Sequence, residues 1–124
     1  MVLVSACHEL LAPGDIPEGA PAAASATAPL PEYATWWTDI ENCLGVQAHF
    51  GRVSWATVST EWGKGFACTV GELGTCYGLW SSPHFIYLAG WAARDPMLVK
   101  HEMIHDILGT GSHASPAFKD CIGL

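Results

Sequence analysis

The sequence is poor in basic residues. Only 5 of its 124 residues are Lys or Arg, against 12 Asp or Glu, and the formal net charge at pH 7 is -7. Proteins that bind nucleic acid carry clustered cations, and no run of Lys and Arg occurs here, so we expect no nucleic-acid partner. No apolar stretch reaches the length of about 20 residues that a membrane-spanning helix requires.

Large apolar side chains are scarce between residues 12 and 31, where the sequence reads APGDIPEGAPAAASATAPLP. Ala, Pro, Gly, Ser and Thr have little apolar surface to bury, so this stretch is expected to form an extended, mobile tether. We therefore divide the chain into an N-terminal segment, residues 1–31, and one foldable domain, residues 32–124. A domain of about 90 residues is marginally stable on core burial alone and usually gains from disulfides or a metal ion.

Four of the five cysteines lie in this domain, which favours two disulfides there and a separate role for Cys7. Cys68 and Cys76 flank a short loop that contains glycine, so we favour their pairing, and Cys43 would then pair with Cys121. Four cysteines allow three pairings, however, and four reduced cysteines in a cytosolic protein are the alternative. Disulfides would indicate an oxidising, extracytoplasmic compartment.

The periodicity of apolar residues predicts an α+β fold. Helical spacing over residues 33–44 predicts a helix, and alternation over residues 52–59 predicts a strand. A second strand is expected over residues 84–89, whereas the glycine-rich residues 60–83 indicate an irregular excursion with a short strand near 77–80. The expected architecture is a small sheet of two to four strands that packs on this helix and on a second, buried helix.

The second helix is predicted over residues 96–108. Asp95 is a favourable N-cap, Pro96 suits the first helical position because its missing N–H costs nothing there, and Gly109 suits the left-handed C-terminal position. At about 100° per residue, the apolar side chains share one broad face, which is formed by Met97, Val99, Met103, Ile104, Ile107 and Leu108.

Two histidines and a glutamate interrupt the apolar pattern of this helix. His101 and His105 are four residues apart, so their imidazoles project from the same face and can bind one zinc ion. Glu102 lies beside them, where its carboxylate can take a proton from a zinc-bound water, whose pKa the metal lowers to about 7. The alternative is a solvated helix face without a ligand, but three ionisable groups on a strongly apolar helix call for a partner.

The segment HEMIHDILGTGSH, residues 101–113, resembles the signature of the zincin metallopeptidases, whose active-site helix carries His-Glu-x-x-His. No glutamate follows Glu102, so the third ligand of the gluzincins is missing. Metzincins place a third histidine beyond a glycine turn, and Gly109 and His113 follow that logic with a different spacing, although no methionine follows His113. The resemblance is to a small, unassigned bacterial zincin-like group, and it implies a minimal zincin-like domain.

This resemblance implies that His113 is the third zinc ligand, after His101 and His105. Asp120 is the alternative, by similarity to the zincins with an aspartate ligand. In zincins the substrate peptide lies along an edge strand beside the active-site helix, and one of the two predicted strands could play that part.

Further roles can be assigned only by residue type. A peptidase requires an oxyanion stabiliser, for which the candidates are Tyr77, His84, Tyr87 and Arg94. Asp106 lies near Glu102 on the helix and could tune its carboxyl. Together with Asp120 it could instead accept a hydrogen bond from an imidazole N–H group.

The N-terminal residues Val4-Ser5-Ala6-Cys7 resemble a bacterial lipobox, in which the cysteine becomes the lipidated N-terminus of the mature protein. A lipidated Cys7 followed by a long Ala/Pro-rich tether would hold the domain at a membrane surface of the cell envelope.

These observations predict a monomeric, extracytoplasmic hydrolase that cleaves peptide bonds of a peptide or protein substrate. One Zn2+ ion would be bound by the three histidines, and Glu102 would be the general base. Two alternatives remain open, namely a lipoprotein in which zinc only supports the fold, and an envelope interaction module that is held together by its disulfides.

Overall fold

The computed structural model describes residues 16–68 and 74–122. These residues form an α+β fold in which two main helices pack on a mixed four-strand sheet, with a small hairpin in addition. The lipobox-like residues and Cys7 lie outside the described residues, so lipidation at Cys7 stays a prediction.

Within residues 16–68 and 74–122, six strands and three helices follow one another: β1 (Ala24–Thr27), α1 (Pro31–Leu44), β2 (Ser54–Val58), β3 (Phe66–Ala67), β4 (Thr75–Cys76), β5 (Gly78–Ser81), β6 (Phe85–Ala89), α2 (Pro96–Leu108) and α3 (Ala117–Asp120). The sheet has the strand order β1-β2-β6-β5. Strands β2 and β6 are parallel, whereas β1 pairs with β2 and β5 pairs with β6 in antiparallel fashion. Strands β3 and β4 form the separate hairpin.

Alternating side chains of the two central strands divide the core into two layers. Trp55 of β2 and Ile86 and Leu88 of β6 belong to one layer, together with buried residues of α1 and α2: Tyr33, Trp37, Ile40, Val99, Met103 and Ile104. The opposite face of the sheet carries Val58 and Tyr87, and it is covered by the hairpin and by the N-terminal segment. The helix that bears the predicted metal ligands is therefore anchored in the larger layer.

Helix α2 has the bounds that the sequence predicts. The side chain of Asp95 accepts hydrogen bonds from the backbone N–H groups of Met97, at 3.0 Å, and Leu98, at 3.4 Å. Pro96 occupies the first turn, and Gly109 ends the helix in the left-handed conformation with φ 69°, which is least costly for glycine.

Other predicted bounds shift by a few residues. Helix α1 begins at Pro31 rather than at residue 33, because proline has the backbone angle that the first helical position requires. Strand β2 begins at Ser54, because Phe50–Arg52 forms a single 3-10 turn before it. The excursion over residues 60–83 is more regular than predicted, since it contains the hairpin, and the short strand expected within it is confirmed as β5.

Two residues that were predicted on the buried face of α2 are exposed. Met97 is 62% exposed and Leu108 is 38% exposed, whereas Val99, Met103 and Ile104 are fully buried. Met97 and Leu108 lie in the first and last turns of the helix. Periodicity predicts the direction of a side chain around the helix axis, but it does not predict how far along the axis neighbouring elements extend.

Part of the predicted tether belongs to the sheet. Ala24 lies opposite Val58 and Thr27 lies opposite Trp55 in the antiparallel ladder of β1 and β2, and Ile16 packs against the core. Small side chains suffice at this position because main-chain hydrogen bonds hold an edge strand. The extended conformation was expected for this segment, but its incorporation into the folded unit was not.

Both predicted disulfides are present. Cys43 and Cys121 have Cα atoms 5.8 Å apart and tie the end of α1 to the residue after α3, whereas Cys68 and Cys76, at 5.9 Å, close the hairpin loop. These disulfides indicate an oxidising, extracytoplasmic setting. Among the described residues, no helix is both long and apolar enough to cross a membrane.

We expect removal of residues 1–31 to destabilise the protein, because the truncation deletes β1 and uncovers the edge of β2. The loss of the ladder over Ala24–Thr27, at about 1 kcal/mol for each hydrogen bond, predicts a free energy of unfolding lower by about 2–4 kcal/mol. Urea unfolding of the full chain and of residues 32–124 measures this difference. A chain that starts at residue 16 retains β1 and is the matched control. Equal stability of residues 32–124 and the full chain would contradict the role of β1.

Candidate metal centre

Three histidines bring their ring nitrogens together beside α2. The Nε2 atom of His113 lies 3.1 Å from Nε2 of His101 and 3.1 Å from Nε2 of His105. The ligand atoms of the three residues lie within 4.8 Å of one another and could hold a metal ion. A tetrahedral zinc ion with Zn–N distances of about 2.0–2.1 Å separates its nitrogen ligands by about 3.3 Å, so this spacing fits the ion.

The protonation state of His105 favours a cation over a hydrogen-bonded cluster. Its Nδ1 atom lies 2.8 Å from the carbonyl oxygen of Thr110. A carbonyl oxygen can only accept, so Nδ1 carries the proton and Nε2 presents its lone pair to the other two rings. The Nε2 atom of His113 has at most one proton for two neighbours, whereas a cation attracts the lone pairs of all three histidines.

Burial keeps His101 and His105 in the form that binds metal. Burial, with smaller contributions from His105 and His113, lowers the pKa of His101 to about 4. The pKa of His105 is also lowered by burial, although the hydrogen bond to Thr110 opposes this shift. Neutral imidazole is the metal-binding form, so these two rings need not lose a proton near neutral pH.

Hydrogen bonds from side chains to the backbone shape the loop that carries His113. The hydroxyls of Thr110, Ser112 and Ser115 each accept a hydrogen bond from the backbone N–H two residues later, at 3.1 Å. Ser and Thr often form such local turns. After the left-handed Gly109 has ended α2, the turns at Thr110 and Ser112 return the chain toward the helix and bring His113 to the other two histidines, and the turn at Ser115 leads into α3.

Phe118 of α3 packs against all three histidine rings. Its ring centroid lies 4.9 Å from that of His101, 4.7 Å from that of His105 and 5.1 Å from that of His113. Helix α3 is tied to α1 by the disulfide at Cys121, three residues beyond Phe118. The disulfide therefore holds an apolar wall against the histidine cluster.

The carboxyl group of Glu102 lies in a cleft next to the histidines. Glu102 is only 4% exposed, and this burial raises its pKa to about 8. Gly78 of β5 packs directly on the carboxyl, since a Cβ atom at Gly78 would lie 2.9 Å from Oε2 of Glu102. A buried carboxyl of raised pKa beside a metal-binding cluster is typical of a residue that transfers protons.

An open cleft of about 280 Å³ gives access to this group. The hairpin and β5 form one wall, and α2 with the loop after it forms the other, with the lining residues Thr75, Cys76, Gly78, Leu79, Trp80, His101, Glu102, His105, Gly111 and His113. The edge strand beside α2 is β5. The prediction that the edge strand beside the active-site helix is one of the strands at 52–59 or 84–89 is wrong, because both lie in the interior of the sheet.

Asp120 and Asp106 do not join the histidine cluster. Asp120 lies on α3 and is exposed. Asp106 is fully buried and accepts hydrogen bonds from Arg52, Trp80 and His84. The raised pKa of Glu102 is caused by burial, so the predicted influence of Asp106 on that carboxyl is not found.

The four residues that were considered as oxyanion stabilisers are not among the described residues that line the cleft. Arg94 pairs with Glu32 at 2.9 Å. Tyr87 is buried in the layer on the other face of the sheet, and Tyr77 packs against a neighbouring indole ring. His84 is hydrogen-bonded to the buried carboxylate of Asp106.

Three contributors to the site were not found from the sequence, namely Gly78, Trp80 and Phe118. Phe118 and Trp80 reach the histidines only through tertiary packing, so no local pattern reveals them. Gly78 carried a weak signal, because an isolated glycine in a strand often marks a close approach of another group.

In comparisons with known proteins, no family model matches this chain, and no significant match is found among curated proteins or solved structures.

We expect the metal-free protein to lose stability as the pH rises between 6.5 and 8. Because the folded pKa of Glu102 is about 8 and its ordinary value is 4.5, the folded state binds the extra proton in this interval. The free energy of unfolding should therefore fall by about 1.4 kcal/mol per pH unit from this group. His101, whose folded pKa is lowered, acts in the opposite direction but only below its ordinary value of 6.5.

Urea unfolding in the presence of a chelator, for the wild type and Glu102→Gln, isolates this contribution. The glutamine variant should lack the decline. Identical pH dependence of the two proteins over this interval would show that Glu102 is not protonated in the folded metal-free state.

We expect loss of the Cys43–Cys121 disulfide to weaken zinc binding as well as the fold, because Phe118 would no longer be tied to α1. For a sequence separation of 78 residues, chain entropy predicts a free energy of unfolding lower by about 4.5 kcal/mol. Chelator competition measures the zinc affinity of Cys43→Ser/Cys121→Ser. A folded double variant with wild-type affinity would contradict this role. Cys68→Ser/Cys76→Ser is the control for the loss of a disulfide as such.

Proposed function

We propose that this chain is a zinc-dependent hydrolase that cleaves peptide bonds. The observation that carries the proposal is the convergence of three imidazole nitrogens beside a buried glutamate in an open cleft. Three nitrogen donors suit zinc and leave a fourth position for water or substrate, whereas structural zinc sites have four protein ligands. Asp120, which would supply a fourth ligand, is not part of the cluster.

The residues of the site would have different chemical roles. A zinc ion bound by His101, His105 and His113 would supply a Lewis acid that lowers the pKa of a water molecule to about 7. Glu102 would be ionised near that positive charge, so its carboxylate would accept the proton of the attacking water and then donate it to the leaving amine. Gly78 would keep this carboxylate in place, because the backbone of β5 fills the space against it.

The position of β5 supports a peptide as the substrate. This strand is at the edge of the sheet and lines the cleft beside Glu102. The outer N–H and C=O groups of an edge strand can pair with an extended peptide, which places main-chain carbonyls along the strand. A peptide that is bound along β5 would pass the carboxylate and the three histidines.

The surroundings in which this activity would operate follow from the disulfides and the charge. Two disulfides suit an extracytoplasmic enzyme, and the net charge of -7 disfavours nucleic acid as a partner. We propose a monomeric enzyme of the cell envelope or exterior that acts on a peptide or protein. Lipidation of Cys7 would hold it at a membrane surface.

We expect His113→Ala to lose zinc and Glu102→Gln to retain it, while both lose peptide hydrolysis. Removal of a general base lowers kcat by about 10²–10⁴-fold. Metal content of the purified full chain and cleavage of a mixed peptide library measure the two effects. Asp120→Ala is the matched control and should retain both zinc and activity.

The same measurements distinguish the alternatives. If Glu102→Gln cleaves peptides as the wild type does, the catalytic role of this residue is refuted. If the wild type folds normally but binds no zinc, the histidines are not a metal centre and a disulfide-held module is the better description. If zinc is bound by both His113 and Asp120, the site is closed and zinc has a structural role.

A further inference from the structure

A second buried carboxylate lies directly after the ligand His105. Asp106 is 0% exposed, and its Oδ2 atom accepts a hydrogen bond from Nε of Arg52 at 3.0 Å. Its Oδ1 atom accepts from Nε1 of Trp80 at 3.1 Å and from Nδ1 of His84 at 3.0 Å. Arg52 also donates to the main-chain oxygen of Asp106 at 2.8 Å. A buried carboxylate that accepts from three donors, one of which is a cation, is held in one defined position.

This carboxylate fixes the indole of Trp80, which in turn contacts a metal-binding ring. The rings of Trp80 and His105 are stacked, with an interplanar angle of 17° and centroids 6.2 Å apart. The hydrogen bond to Thr110 fixes the direction of one ring nitrogen of His105. It does not fix the rotation of the ring plane about that hydrogen bond, whereas a flat indole packed against the ring does.

We propose that Trp80, oriented by Asp106, is a positioning residue that sets the ring plane of His105 at the metal centre. The proposal rests on the three-histidine site that is proposed above. Because Trp80 also lines the cleft, the same side chain forms part of the wall against which a substrate would lie. Trp80 would therefore affect both the orientation of the His105 ring and the shape of the cleft.

Substitution of Arg52 is the control that distinguishes positioning of a ligand histidine from general stabilisation of the fold. Arg52 and Trp80 bind the same carboxylate, so the loss of either one removes a hydrogen bond from a buried acceptor. Of these two side chains, Trp80 is the one that is stacked on a ligand histidine. A purely structural network would respond at the metal to both substitutions alike, whereas a positioning role predicts a larger response at the metal to the loss of Trp80.

The test uses the full chain with Co2+ as a spectroscopic probe and Zn2+ for affinity. Trp80→Phe keeps an aromatic ring but loses the donor to Asp106, and Trp80→Leu loses both. We expect a graded change of the Co2+ absorption bands in the order wild type, Trp80→Phe, Trp80→Leu. Zinc affinity should fall by about tenfold or more, as is typical when a residue that supports a ligand is replaced. Arg52→Gln should lower the urea midpoint while it changes the Co2+ bands and the zinc affinity less than Trp80→Phe does.

Three outcomes would overturn the proposal. Unchanged Co2+ bands in both Trp80 variants would show that the indole does not orient His105. Equal changes in Arg52→Gln and Trp80→Phe, in proportion to their loss of stability, would show a structural network only. Failure of the wild type to bind either ion would refute the metal centre itself, and this result is distinct from the first two because it needs no variant.

Discussion

Helix α2 carries Glu102, His105 and Asp106 into the interior of a small domain, and much of the fold is arranged around their burial. A buried polar group without a partner costs several kcal/mol, so each of these side chains requires a specific neighbour. Asp106 obtains donors from two other segments of the chain. His105 obtains the carbonyl oxygen of Thr110, and burial raises the pKa of Glu102 to about 8.

The segment after α2 completes the histidine cluster. Left-handed Gly109 ends the helix, and a series of local turns brings His113 back to His101 and His105. Phe118 then covers the three rings on one side, and the disulfide at Cys121 holds that cover in place. Helix α3 has only four residues, which is too short to be stable by itself, so its position depends on the disulfide at Cys121.

On the other side of the site, one edge strand has two roles. Strand β5 brings glycine against Glu102 and places Trp80 beside His105. Because β5 ends the sheet and lines the cleft, the proposed peptide could pair with the outer edge of this strand. The order of the metal ligands and the binding of an extended substrate would thus depend on the same four residues, Gly78–Ser81.

Short-range sequence patterns were sufficient to predict much of the fold. The cap at Asp95, the proline after it and the glycine at the C-terminus determine the bounds of α2, because these effects act within one turn of helix. The two strands that became central, β2 and β6, were also predicted. Both disulfides were favoured correctly. The strand at Ala24–Thr27 was not predicted, because small residues gain their place in a sheet from a partner strand rather than from their own composition.

For the site, the sequence by itself determined how the two helical histidines are placed relative to each other. His101 and His105 share a helix face with Glu102 beside them, because a period of about 3.6 residues per turn fixes that relation. Whether His113 or Asp120 joins them was decided by the path of the loop, and His113 joins. The contacts of Gly78, Trp80 and Phe118 with the site were likewise decided by tertiary structure. The physical reason is that these contacts join segments far apart in the chain, whose relative placement depends on core packing and on a disulfide, and no short-range pattern encodes it.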